Sequence, residues 1–160
     1  MKPRKEIYQK ITEQLQALVT AGTLKYVDLN KGQLDNAEKG YPISFPAVLI
    51  QTDAIRYTHK SDNRVKGEAT VTLSVALHHH HNSFMGSASK QASEDTIDLL
   101  DTIVEALTYT RGESFTDMEL SDEQFLPYTF KGLHIHQIRY TCLTYHKIKE
   151  DATVRITRGA

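Results

Sequence analysis

The sequence predicts an α+β fold, a mainly antiparallel sheet with helices packed against one face, on two observations. In the run Glu68–Leu77, apolar Val71, Leu73, Val75 and Leu77 alternate with Thr70, Thr72, Ser74 and Ala76, the period of a half-buried strand. The strand-competent stretch Tyr41–Ile50 precedes it at a distance too short for a parallel crossover, so the two are expected to form a long hairpin. In addition, two segments repeat apolar residues at helical spacing, one before the hairpin and one after it.

The first helix is read from Ile7, Ile11, Leu15, Leu18 and Val19, set among Lys5, Glu6, Lys10, Glu13 and Gln14 and stopped by Gly22. Leu24–Leu29 alternates like a strand, and 30–40 is polar and glycine-punctuated, as a surface loop is. Pro42 and Pro46 exclude a helix interior and extend the residues before them, so the next strand is predicted from Ala47 toward Tyr57. The basic stretch 58–67 reads as a turn-rich connection, with its tip a contact element.

After the second hairpin strand come His78, His79, His80 and His81, then a Ser- and Gly-containing connection into a helix starting at Lys90 or Ser93. Its apolar face is predicted from Ile97, Leu100, Ile103, Val104 and Leu107. Glu94, Asp98, Asp101 and Glu105 follow one another by four, three and four residues, which lines carboxylates along one exposed stripe. Residues 111–114 and 117–123 read as acidic loop, 127–130 as a short extended piece, and Leu133 to His146 as a long strand. The facing of that strand stays open, because neither alternating set is purely apolar. The segment 151–158 is strand-competent and can fray or pair with another chain.

Composition bounds the function. At 160 residues, 39% hydrophobic and 24% charged, the chain has the size and content of one soluble domain spanning 1–160, with 151–160 as a mobile tail. A formal net charge of −1 gives no global attraction to nucleic acid or anionic lipid. No apolar run approaches the roughly 20 residues that span a bilayer, and the basic start leads into polar residues, so a cytosolic setting is expected. The lone Cys142 has no internal disulfide partner, and its apolar neighbours make it a packed thiol.

No catalytic arrangement emerges. The chain has no Gly-x-Ser-x-Gly elbow and no phosphate loop ending in Lys-Ser or Lys-Thr. His78 and His80 would share one side of a strand, as would His134 and His136, so the four form a conceivable metal set. Without a His-Glu-x-x-His motif or cysteine pairs, solvated or interfacial histidines are the plainer reading. No cofactor is expected, and no specific nucleic-acid site.

In its order of helix, strand, long hairpin, helix and strand, the chain resembles the tail terminator, or tail completion, proteins of long-tailed bacteriophages and prophages. The residues that carry this are the helix ending near Gly22, Tyr41-Pro42 and Phe45–Ile50, Thr70–Leu77, Lys90–Leu107 and Lys131–Tyr140. The resemblance implies a non-enzymatic protein of the virion tail, assembled in the bacterial cytoplasm. Such a protein forms a ring, by that likeness a hexamer, on the end of the tail tube, stops tube growth and meets the head connector or neck protein. A histidine-rich metal-binding module and a neighbouring neck protein are the alternatives. Independently of the resemblance, a closed ring needs two different patches that meet between copies. Lys60, Arg64 and Lys66 on the hairpin, and Glu94, Asp98, Asp101 and Glu105 on the second helix, are the candidates.

Overall fold

The computed structural model describes residues 2–35, 43–78, 85–87, 90–126 and 133–149, except for the side chains at 59, 60 and 78. Helices α1 (Pro3–Thr20) and α2 (Lys90–Leu107) accompany strands β1 (Tyr26–Leu29), β2 (Ala47–Ser61), β3 (Arg64–His78), β4 (Glu119–Leu126) and β5 (Leu133–Lys147). The strands form one sheet in the order β1-β2-β3-β5-β4, in which only the β1–β2 pair is parallel. The α+β expectation is therefore met. The segments read from sequence at 36–42, 79–84, 127–132 and 150–160 lie outside the described residues.

The core follows from the pleat. Val71, Leu73, Val75 and Leu77 point to the helix side, and register brings Val48 beside Val75 and Ile50 beside Leu73 from β2. From β5, Ile138 stands beside Leu73, Tyr140 beside Val71 and Cys142 beside Ala69. Ile7, Ile11 and Leu15 of α1 and Leu99, Ile103 and Leu107 of α2 close the same cluster. A one-residue slip would turn every one of these strand residues away from the helices. At about 2 kcal/mol for each buried aliphatic side chain, that cost exceeds any local turn preference.

Two helical assignments shift. Val19 was expected on the buried face but is exposed, because successive i,i+4 steps drift by about 40° each and three of them carry residue 19 off the line of Ile7. Ile97 is likewise 58% exposed, and Leu99 takes its place in the core. Ile97 lies about 120° around α2 from Ile103, whereas Leu99 lies about 40° away.

The hairpin is longer than its sequence indicates. Instead of a loop across 58–67, β2 and β3 remain paired to Ser61↔Arg64, and the chain reverses at Asp62 and Asn63. Their φ values of 46° and 63° are the left-handed pair of a two-residue turn whose twist matches the strands. Asn63 also fastens the end of β5. Its Oδ1 accepts the Lys149 N–H at 2.9 Å, its carbonyl accepts the Ile148 N–H at 2.9 Å, and its Nδ2 donates to the Lys149 carbonyl.

The acidic stretch 117–123, expected as loop, contributes to edge strand β4 instead. Its side chains are exposed almost throughout, so no hydrophobic alternation marks it, and its backbone pairing with β5 makes it a strand. Arg139 holds Asp122 directly across the pair, with Nη1 to Oδ2 at 2.7 Å. The register shift between Leu120 and Asp122 and the acids Glu119, Asp122 and Glu123 are features that discourage further strand addition.

Replacing Asn63 with Ala is expected to cost about 1–2 kcal/mol, from lost side-chain bonds and a left-handed backbone that alanine disfavours. Amide exchange should accelerate first at Ile148 and Lys149, ahead of Ile138 and Tyr140.

Candidate functional site

An open cleft lies between α1 and the loop that follows α2, lined by Glu6, Gln9, Lys10, Glu13, Gln16 and Arg111 among others. Four of its charged side chains, Glu6, Lys10, Glu13 and Arg111, have partners within the fold. Lys10 pairs with Glu13 at 3.0 Å, and Arg111 pairs with Asp117, Nε to Oδ1 at 2.7 Å. Glu6 is buried and joins the helix to the loop. Its carboxylate accepts the backbone N–H of Glu113 at 2.7 Å, that of Ser114 at 2.8 Å and the Ser114 hydroxyl. Burial by itself pushes the Glu6 carboxyl up, but these hydrogen bonds and the N-terminal charge bring it below the usual carboxylate range. Gly112 makes the approach feasible, since a Cβ there would stand 2.7 Å from the Glu6 carboxyl and 2.4 Å from the Phe115 ring.

The histidines separate. His78 is paired with Leu133 and His134 with Leu77, so His78 faces no histidine across the β3–β5 ladder, and His80 lies outside the described residues. His134 stacks on Phe125 with ring centroids 5.2 Å apart, and His136 Nε2 lies 3.1 Å from Glu123 Oε1. Among the described residues, no group of three or more His, Cys, Asp or Glu is placed to hold a metal ion. Cys142 is buried, and loss of solvent together with the nearby Glu68 pushes its thiol up to about 11.

The surfaces are more informative. On the side of the sheet away from the helices, Arg64 stands opposite Lys147 and Lys66 opposite Tyr145. The Lys66 ammonium lies 5.8 Å from the centre of the Tyr145 ring, within cation–π range. Lys2 reaches the same end from α1, donating to the carbonyls of Lys147 and Ile148. The charges of Lys2 and Arg4 also act on His146. A basic end thus forms from the start of α1, the hairpin turn and the end of β5. Sequence reading found only the hairpin part, because pairing across some 80 residues creates the rest. Lys60 belongs to this end by backbone position alone.

The opposing charge lies on α2, where Glu94, Asp98, Asp101 and Glu105 are all exposed. Glu94 pairs with Lys90 at 3.5 Å, while Asp98, Asp101 and Glu105 form no ion pair with any described residue. Exposed Ile97 sits within this stripe, next to Asp98, three residues after Glu94 and four before Asp101. The acidic stripe and the cationic hairpin therefore occupy different surfaces of the same chain and do not meet within it.

Comparison with solved structures places this fold among known ones. A chain of the virion of a native gene transfer agent particle is similar over 91% of this chain and 96% of its own length, with a TM-score of 0.57 and 9% sequence identity. The shared feature is the fold. No protein-family model matches the sequence, and no curated protein matches it. Among the described residues, no helix is long and apolar enough to cross a membrane.

Two outcomes follow from the site. Glu6→Ala should cost about 3 kcal/mol in urea unfolding, since two inward N–H groups lose their acceptor, and Glu6→Gln should cost less. Because the folded-state pKa of Glu6 is depressed, its contribution is present above its ordinary value of 4.5 and is lost as pH falls through the folded pKa. His146 is depressed by burial first, then by Lys2, Arg4 and the N-terminus, from 6.5. Its stabilising contribution is complete above that pH and declines as pH falls below it. A His146→Asn variant should therefore lose less Tm than the parent when the buffer moves from about pH 7 to about pH 5.

Proposed function

We propose that this chain is a non-enzymatic structural protein of a phage-like particle, acting as a tail terminator. In this role, copies form a ring, taken as a hexamer, that caps the tail tube, stops its polymerisation and presents a surface to the head connector or neck protein. The observation that carries the reading is the fold likeness to a chain of a gene transfer agent virion, which spans nearly the whole of both chains. The surfaces support it. A cap recognises its partners by shape and charge, and this molecule segregates charge strongly although its formal net charge is only −1. The cleft beside α1 supports it too, because Glu6, Lys10, Glu13 and Arg111 there are tied to backbone or to opposite charges. The proposed setting is the virion tail, with assembly in the bacterial cytoplasm and the tube protein, the connector and further copies of the chain as partners. A single domain over residues 1–160 is part of the same proposal.

Adding the purified protein to polymerising tube subunits from the same particle tests it. Tubes are expected to become shorter and end-capped in electron micrographs as its concentration rises, with ring density at one end. Tube lengths that do not respond, with binding to the connector instead, would make it a neck protein; binding to neither would reject the reading.

A further inference from the structure

The helix-free side of the β2–β3–β5 ribbon near the turn is an uncovered sheet surface with a distinct composition. Leu143 and Tyr145 are 38% and 42% exposed there. Arg64 and Lys66 flank Tyr145 across the β3–β5 pair, and Arg56 stands beside Glu68, itself opposite Leu143. A sheet face of this kind is completed by a second layer, and an amphipathic helix is the usual element. The outer side of α2 has matching features. It carries the 58% exposed Ile97, with carboxylates from Glu94, Asp98 and Asp101 around it. Within one molecule the two surfaces stay apart, since α2 packs its other side, through Leu99, Ile103 and Leu107, against the opposite face of the sheet.

We propose that the outer face of α2 docks on the helix-free ribbon end of a second copy of this chain, with Ile97 set against Leu143 and Tyr145. The carboxylates of Glu94, Asp98 and Asp101 then meet Arg64, Lys66 and Arg56 around that apolar centre. Charge complementarity selects this occupant. Arg64, Asp98 and Asp101 form no ion pair with described residues, and an apolar contact ringed by charge is the arrangement of a specific interface. The contact is heterologous, so it repeats from copy to copy and closes only as a ring, or continues as a filament. The proposal rests on the ring reading above, supplies the surfaces for it, and adds Ile97, Leu143, Tyr145 and Arg56 to the charged residues found in the sequence.

A charge swap tests the pairing by sedimentation velocity at low salt and high protein concentration. Arg64→Glu with Lys66→Glu, and separately Asp98→Lys with Asp101→Lys, should each weaken self-association on the order of tenfold or more, and the two variants mixed should associate with each other. Ile97→Ser should also weaken association while leaving Tm unchanged, because that side chain lies outside the core. A parent chain that stays monomeric under these conditions, or two reversed variants that fail to associate when mixed, overturns the proposal. Binding of a short DNA duplex at the basic end that displaces self-association, with no rescue in the mixed variants, overturns it in favour of a phosphate site. Tube capping measured in parallel separates the outcomes. Capping that persists in the reversed variants removes this interface alone, whereas loss of capping in the parent removes the terminator reading.

Discussion

The apolar, helix-facing side of three long strands governs this structure. β2, β3 and β5 run side by side, and on the helix side of β3 Ala69 lies between Ile55 and Cys142 and Leu73 between Ile50 and Ile138. Because both helices press on that side, register is fixed by the sum of many small burial terms, and no single contact decides it. The far side follows a different rule. Thr72 and Ser74 are buried there as well, and the Thr72 hydroxyl donates to the Asp53 carboxylate. That bond satisfies a polar side chain which burial would otherwise penalise.

Elements whose signal is local were legible in the sequence. α1, the Lys90 start of α2, the alternation of β3 and the long strand from Leu133 all match the folded chain closely. The misreading of β4 and the open facing of β5 share one physical origin, which is dependence on partners distant in sequence. β4 has no apolar period, and only its ladder to β5 makes it a strand. The facing of β5 was undecidable because His134, His136, Thr144 and His146 share a side with Ile138, Tyr140 and Cys142. Pairing to β3 resolves it.

The candidate surfaces divide in the same way. The acidic stripe of α2 is a property of helical spacing and was visible in the chain itself. Its apolar centre was hidden, because Ile97 was assigned to the core and only the packing of Leu99 exposes it. The basic end was seen as a hairpin of three cations. The folded chain adds Lys2, Arg4 and Lys147 to it. A near-zero net charge concealed this separation, since a sum over residues carries no information on where they lie.

The chain's single cysteine has a practical corollary. With Cys142 shielded beneath the helices and its proton held to about pH 11, a maleimide at neutral pH has almost no thiolate to attack. The native chain is thus already a quiet background for attaching fluorophores at introduced surface thiols. Donor and acceptor dyes on separate copies could follow subunit arrival at a growing assembly in real time, without first deleting a core residue.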